Sequence, residues 1–320
     1  MATEHRLAHP VARADALGDA PLAVRLLGRD WVLWRDASGQ GRAAPDQCPH
    51  RGAALSLGRV CAGELQCPYH GWRFASDGRC VAVPAVPGFV PPAGHGLAVR
   101  PLVPAHGLLW LTPEGDAPPP RFTPGEDTRL SQHLVGPFDV ATSAPRVVEN
   151  FLDMAHFGFV HEGWLGEPGH AEVPPFTVTR SDHGLQASGC RAWQPRSNLC
   201  ATEGSWVDYG YQVPAPYCAV LEKAPDAQAG WREGIALFVL PIDDEHARAW
   251  FALAMPAEAG EAAAIEAFQR TIFEQDRPVL ESQRPRRLPL RGEVHSAADR
   301  LSSAYRRWLI DLGVRCGVQD

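Results

Sequence analysis

The chain lacks any apolar run of transmembrane length, and its first twenty residues, M-A-T-E-H-R-L-A-H-P-V-A-R-A-D-A-L-G-D-A, never build a signal-peptide core. The expectation is a cytoplasmic protein. It also lacks an excess of positive charge. With a net charge of −7 and a pI near 6.0, there is no electrostatic case for nucleic acid or an anionic membrane as a partner. There is no internal repeat. Nor is there a disulfide framework: Cys61, Cys80, Cys190, Cys200, Cys218 and Cys316 are scattered without paired spacing, which in a reducing compartment reads as buried or inert thiols. What remains is an ordinary globular composition, 45% apolar and 21% charged over 320 residues, enough for two domains with separate cores.

One stretch holds the remaining two cysteines. Cys48 to Trp72, C-P-H-R-G-A-A-L-S-L-G-R-V-C-A-G-E-L-Q-C-P-Y-H-G-W, presents a C-x-H pair and a C-x-x-H pair, each opening on Cys-Pro. Sixteen residues separate His50 from Cys67. Thiolates suit iron and sulfide, and two neutral imidazoles in place of two thiolates reduce the negative charge on a cluster and raise its potential. A structural Cys2His2 zinc site is the alternative, but zinc modules space their cysteines by about two to four residues and lack the frame of Pro49, Pro68 and Gly71-Trp72.

The stretch resembles the Rieske [2Fe-2S] motif. The resemblance implies Cys48 and Cys67 on one iron and His50 and His70 on the other, with Gly52 and Gly71 letting the loop backbones close over the sulfides. High-potential Rieske proteins carry an extra cysteine in each loop. None exists here, so the motif resembles the oxygenase type, near the lower end of a range of about −150 to +300 mV.

The surrounding pattern reads as α+β. Leu22–Leu27 and Trp31–Trp34 predict an antiparallel pair, G-W-R-F and C-V-A-V-P a second around Ser76-Asp77-Gly78, and Leu108–Leu111 a last strand. The Pro/Gly/acidic segment Thr112 to Asp127 predicts a connector. The expected domains are therefore residues 1–115, a small antiparallel β domain, and residues 116–320. The second domain is expected to open irregularly and then form a helix over about 145–161, with Ser143 as N-cap and Pro145 in its first turn. Alternating runs from Phe176 to Met255 predict long antiparallel strands with a hairpin turn at Asp243–His246. A helix follows Pro256 with Ile265, Phe268, Ile272 and Phe273 on one face, and a last helix spans about 296–312.

The helix at 145–161 carries Asn150, Asp153, His156 and His161 in the pattern N-x-x-D-x-x-H-x-x-x-x-H. Two imidazoles and one carboxylate make the facial triad that leaves Fe(II) positions open for O2 and substrate. His156 and His161 diverge by about 140° on a straight helix. Convergence on one metal predicts a distorted turn, with Gly158 placed where a π-like bulge is tolerated. Glu274, Asp276, Glu281, Asp243 and Asp244 are all candidates for the carboxylate.

Together these motifs resemble the oxygenase component of Rieske non-haem iron oxygenases over nearly the whole chain, closest to the vanillate O-demethylase and dicamba monooxygenase type. The resemblance selects Asp276, which precedes Arg277-Pro278, where the proline is expected to disturb the helix and free the carboxylate. It implies a catalytic domain of helix-grip (START-like) form, and a mononuclear Fe(II) held by His156, His161 and Asp276. It further implies a homotrimer in which Asp153 links His156 to His70 of a neighbour's cluster, with Asn150 in the catalytic group. The implied partners are O2 and a separate NAD(P)H-dependent reductase carrying flavin and a plant-type [2Fe-2S] centre. The implied reaction is O-demethylation or hydroxylation of a small aromatic substrate. Quaternary-amine or fused-ring substrates, and a pure Rieske electron carrier with a non-catalytic binding domain, are the competing readings.

Overall fold

The computed structural model describes residues 2–320, and the chain divides into two compact units: residues 5–119, and residues 120–320 together with the N-terminal residues up to Glu4. Among the described residues no helix is long and apolar enough to cross a membrane.

The first unit is built of short antiparallel strands. One four-stranded sheet runs Leu22–Leu26, Arg29–Arg35, Gly41–Pro45, Arg100–Pro101; a second runs Arg59–Cys61, Glu64–Gln66, Arg73–Phe74, Cys80–Ala82; and His9–Arg13, Leu108–Leu111 and Val103–Ala105 form a third. The expected pairing of Leu22–Leu26 with Arg29–Arg35 is present, residue for residue from Leu22 opposite Leu33. Val32, Trp34, Leu55, Leu65 and Phe74 are fully buried and form a core on which Cys48, Cys67 and Trp72 also pack. Burying these side chains is the main stabilising term for a unit with so little regular structure.

The second unit is one seven-stranded antiparallel sheet with helices against it. The strand order is Ser131–Val140, Ala247–Met255, Glu233–Pro241, Cys218–Pro225, Ser205–Ala215, Gly184–Gln194, Thr177–Ser181. Six strands follow one another as a meander; the first in sequence closes the far edge against the last. Along Ser205–Ala215 the residues Ser205, Val207, Tyr209, Tyr211 and Val213 are buried in strict alternation, the pattern of a sheet covered on one face. The cover consists of α1 (Ala144–Leu152), α2 (Phe157–Val160), α3 (Ala262–Ser282) and α4 (Arg300–Leu312).

Three expectations need correction. The opening of this unit is not irregular: Ser131–Val140 is a ten-residue edge strand, hidden in the sequence because Gly136-Pro137 breaks its alternation where the register with Ala247–Met255 shifts between Val135 and Phe138. The helix over 145–161 is two helices, because the chain turns extended at Asp153 (φ −93°, ψ 129°) and restarts after His156. Ser143 sits at the N-cap of α1 but makes no side-chain capping bond. Finally, α3 runs unbroken through Pro278. Pro278 and Glu274, whose carbonyl it leaves without a donor, both lie on the exposed side of α3, so the lost bond is not buried.

Candidate active site

In the first unit two loops present the cysteines and histidines in matching ways. Cys48 N donates to Ala53 O at 2.8 Å and Cys48 O accepts from Gly52 N at 2.8 Å; Cys67 N donates to Trp72 O at 2.8 Å and Cys67 O accepts from Gly71 N at 3.2 Å. Each loop closes with a glycine at φ +71°, a left-handed conformation that a side chain would strain. The thiols point inward, with Cys48 2% and Cys67 3% exposed, whereas His50 is exposed and His70 half-buried. The His50 and His70 rings lie 4.6 Å apart, and His50 stacks on Trp72, which in turn stacks on His95. Burial, together with the neighbouring Cys67, pushes the Cys48 thiol up to about 11. Apart from a metal the Cys48 sulfur would hold its proton, so metal binding there releases it. Two buried sulfurs and two more exposed imidazoles fit a [2Fe-2S] cluster with its histidines towards the surface.

In the second unit the break at Asp153 does what a π-bulge was expected to do. Asp153 Oδ1 accepts from Ala155 N at 2.8 Å, holding the turn, and Oδ2 lies 3.2 Å from His156 Nδ1. Burial alone would raise the Asp153 pKa, but the bond and charge of His156, with the Ala155 and His156 amides, hold it below the ordinary value. Gly158 serves a different purpose from the one expected: a Cβ there would sit 2.9 Å from the Glu167 carbonyl oxygen. The second helical turn therefore packs directly on the backbone at Glu167, and His161 is buried at its end.

The three candidate ligands converge. His156 Nε2 lies 3.2 Å from His161 Nε2 and 3.5 Å from Asp276 Oδ1, and His161 Nε2 lies 3.3 Å from the same oxygen. Each histidine has a partner on its far side, and Asp276 is held at the oxygen it turns to them. Asp153 holds His156 Nδ1; Gln275 Oε1 lies 2.8 Å from His161 Nδ1; and Asn150 Nδ2 donates to Asp276 Oδ1 at 3.2 Å. With both Nδ1–H groups committed outward, the two Nε2 atoms and the carboxylate oxygen face one another as lone pairs, an arrangement that repels unless a cation sits among them. Their spacing suits three ligands on one face of a divalent ion with bonds of about 2.1 Å. The donor set fits the 2-His-1-carboxylate pattern of non-haem iron.

The other acids are engaged elsewhere. Glu274 pairs with Arg277, Glu281 accepts from Ala141 N, Asp243 binds His246, and Asp244 holds Arg287 and Gly317 N. Gln275 was not legible as a site residue, since a helical glutamine beside Asp276 reads as solvated. Of the sheet residues Arg191, Trp193, Trp206 and Tyr209, Tyr209 alone lines the cavity that opens onto the three ligands. Arg191 pairs with Asp208 and Asp226 and lies over Trp206, while Trp193 stacks on His170.

That cavity lies between the sheet, α1 and α3. Phe151, Phe157, Leu237, Phe251, Ile265 and Phe273 make much of its wall apolar, and His156, His161 and Asp276 are part of the same wall. An apolar chamber with a few convergent polar groups is the usual form of a small-molecule site.

Comparison with known proteins agrees with both halves. Residues 8–99 match the Rieske [2Fe-2S] domain, and residues 140–315 match the vanillate O-demethylase oxygenase C-terminal domain. The methylxanthine N1-demethylase NdmA of Pseudomonas putida is 31% identical over 97% of this chain and 86% of its own length. The methylxanthine N3-demethylase NdmB of the same species is 31% identical over 96% and 88%. The solved structure of NdmA from P. putida CBB5 with caffeine superposes with a TM-score of 0.86 at 28% identity, covering 97% of this chain and 91% of that one. Dicamba monooxygenase, at 20% identity and a TM-score of 0.75, shares the fold. The chain belongs to the Rieske non-haem iron oxygenases, as an oxygenase component of the vanillate O-demethylase type that oxidises a small substrate with O2 and electrons from a separate reductase.

Proposed function

We propose that this oxygenase removes a methyl group oxidatively from a small planar molecule, with an N-methyl heterocycle as the preferred class. The observation that carries the reading is the set of three mutually facing donors, His156 Nε2, His161 Nε2 and Asp276 Oδ1, in the wall of an apolar chamber. The N-demethylase relatives over nearly the full chain favour nitrogen over oxygen as the methyl-bearing atom.

Balanced, N–CH3 with O2, NAD(P)H and a proton gives N–CH2OH, water and NAD(P)+; the carbinolamine then collapses to N–H and formaldehyde. Bound iron supplies O2 activation and the cluster supplies electrons one at a time. The residues supply the rest. His156, His161 and Asp276 hold the metal; Asp153, Gln275 and Asn150 fix the ring tautomers and the carboxylate. The aromatic wall holds a flat substrate with its methyl group towards the ligands and excludes bulk water. Cys48, Cys67, His50 and His70 hold the cluster.

The same reading includes a homotrimer in which a second copy's His70 reaches Asp153, supported by the half-buried His70 and by the open cleft that Asp153 shares with Glu149, Val279, Glu293 and His295. The reductase is taken to carry flavin and a plant-type [2Fe-2S] centre. A cytoplasmic location is supported by cysteines that form no disulfide among the described residues. The test is formaldehyde release with a surrogate reductase, NADH and O2, from matched N-methyl and O-methyl compounds. Formaldehyde in proportion to NADH consumed from the N-methyl set is expected; release from aryl methyl ethers alone overturns the nitrogen preference.

A further inference from the structure

The cavity wall contains a charged pair that the metal site does not use. Lys223 is the sole lysine among the 30 Lys and Arg residues of the chain. Every other cation is an arginine. It sits on the strand Cys218–Pro225 directly opposite Glu233 on one side and Tyr209 on the other, so Tyr209, Lys223 and Glu233 form one row across three strands. All three line the cavity. Lys223 Nζ lies 2.9 Å from Glu233 Oε1, and the two side chains are only 5% and 3% exposed. Glu233 Oε2 accepts from Trp231 Nε1 at 3.2 Å.

A buried ion pair of this kind contributes little net stability, because desolvating both charges costs about as much as their attraction returns. Its chemistry is more informative. An ammonium has three donors and one is spent on Glu233. Tyr209 accepts from Gln194 Nε2, and burial together with the charge of Glu233 keeps its phenol protonated. The row therefore presents spare donors to the cavity, while each Glu233 oxygen already accepts from a neighbour within the protein. Its formal charge is zero. Among the described residues no arginine lines the cavity, so a substrate carboxylate would be buried against a lysine whose charge is already matched, which is costly.

We infer that Lys223, with Glu233 as its neutralising partner, is a specificity-determining residue that receives a carbonyl oxygen of an uncharged substrate and selects it over carboxylates. The inference rests on the reading of this cavity as the substrate site, and it specifies which end of the substrate lies away from the metal: the acceptor oxygen meets the Lys223 row while the methyl group meets the histidines.

The test is binding, measured by calorimetry on the iron-loaded protein without reductant, so that it is independent of turnover. The neutral probes are caffeine, 1,3-dimethyluracil and N-methylphthalimide; the anionic probes are vanillate, veratrate and 4-methoxybenzoate. Wild-type protein is expected to bind at least one neutral probe at least tenfold more tightly than every carboxylate. Lys223→Met is expected to weaken that neutral probe at least tenfold, and Glu233→Gln, which leaves Lys223 unmatched, to tighten a carboxylate at least tenfold. Should either single variant fail to fold, the doubly substituted Lys223→Met, Glu233→Met protein leaves no lone charge and is expected to lose the neutral-probe affinity. Preference of the wild type for a carboxylate, absence of binding by all neutral probes, or unchanged neutral affinity in the lysine variants overturns the inference. Formaldehyde assays fail or succeed separately, so loss of the demethylation reading leaves the binding result standing.

Discussion

Gln275 Oε1 lies 2.8 Å from His161 Nδ1, while the next residue along the same helix, Asp276, places Oδ1 3.3 Å from the other nitrogen of that ring. Two consecutive positions on α3 thus hold one histidine from both sides, one fixing its tautomer and the other sharing its metal face. Gln275→Leu removes the acceptor and leaves the Nδ1–H unpaired in a buried place. Iron affinity is expected to fall by about 10- to 100-fold, read as iron retained per chain under graded chelator, while Gln275→Glu keeps most of it.

Asp153 has a different task. Its carboxylate bonds Ala155 N and His156 Nδ1 but is remote from the mutual lone-pair face of the three ligands. Asp153→Asn is expected to retain the cluster and most of the iron while substrate-triggered oxidation of the reduced cluster, followed by stopped-flow absorbance, slows by at least about 100-fold. An Asp153→Ala protein with full activity would remove the residue from the electron path.

Gly158 tests the packing that places His161. A methyl group there meets the Glu167 carbonyl oxygen at 2.9 Å and its carbon at 3.1 Å, and neither is the end of a flexible side chain. Gly158→Ala is expected to cost about 1–3 kcal/mol in denaturant unfolding and to lower iron occupancy in parallel.

Acid stability depends on a turn in the first unit. Asp36 accepts from Ser38 N, Ser38 Oγ, Gln40 N and Arg42 Nε. Burial pushes its pKa up, but these bonds outweigh it and bring the value down to about 2 from 3.8. A folded pKa below the unfolded one means stability that is present above pH 4 and lost as pH falls from about 4 towards 2. The contribution is on the order of 1–2 kcal/mol, and Asp36→Asn is expected to abolish that part of the acid slope in pH-dependent melting.

The cluster loops were fully legible in the sequence because their ligands lie close together in chain order and their geometry comes from local Cys-Pro and Gly turns. His156 and His161 were legible as a pair, but the way they converge was not. The run from Pro145 to His161 has the apolar spacing of one helix, and only a side-chain bond from Asp153 back to the Ala155 amide ends it. Asp276 was selected by resemblance; its neighbours Glu274 and Glu281 carry the same charge and differ only in which face of α3 they occupy. Lys223 and Glu233 stand ten residues apart in the chain, and become neighbours only through the register of two strands. No local pattern announces such a pair.

The most direct test of the whole account counts metal. Purified, iron-reconstituted wild-type protein should contain three irons and two acid-labile sulfides per chain and release formaldehyde in proportion to NADH. Asp276→Ala should contain two irons, keep the Rieske electron paramagnetic resonance signal of the reduced cluster, and release no formaldehyde. Two irons in the wild type, or sustained formaldehyde release by Asp276→Ala, would contradict a mononuclear iron held by His156, His161 and Asp276.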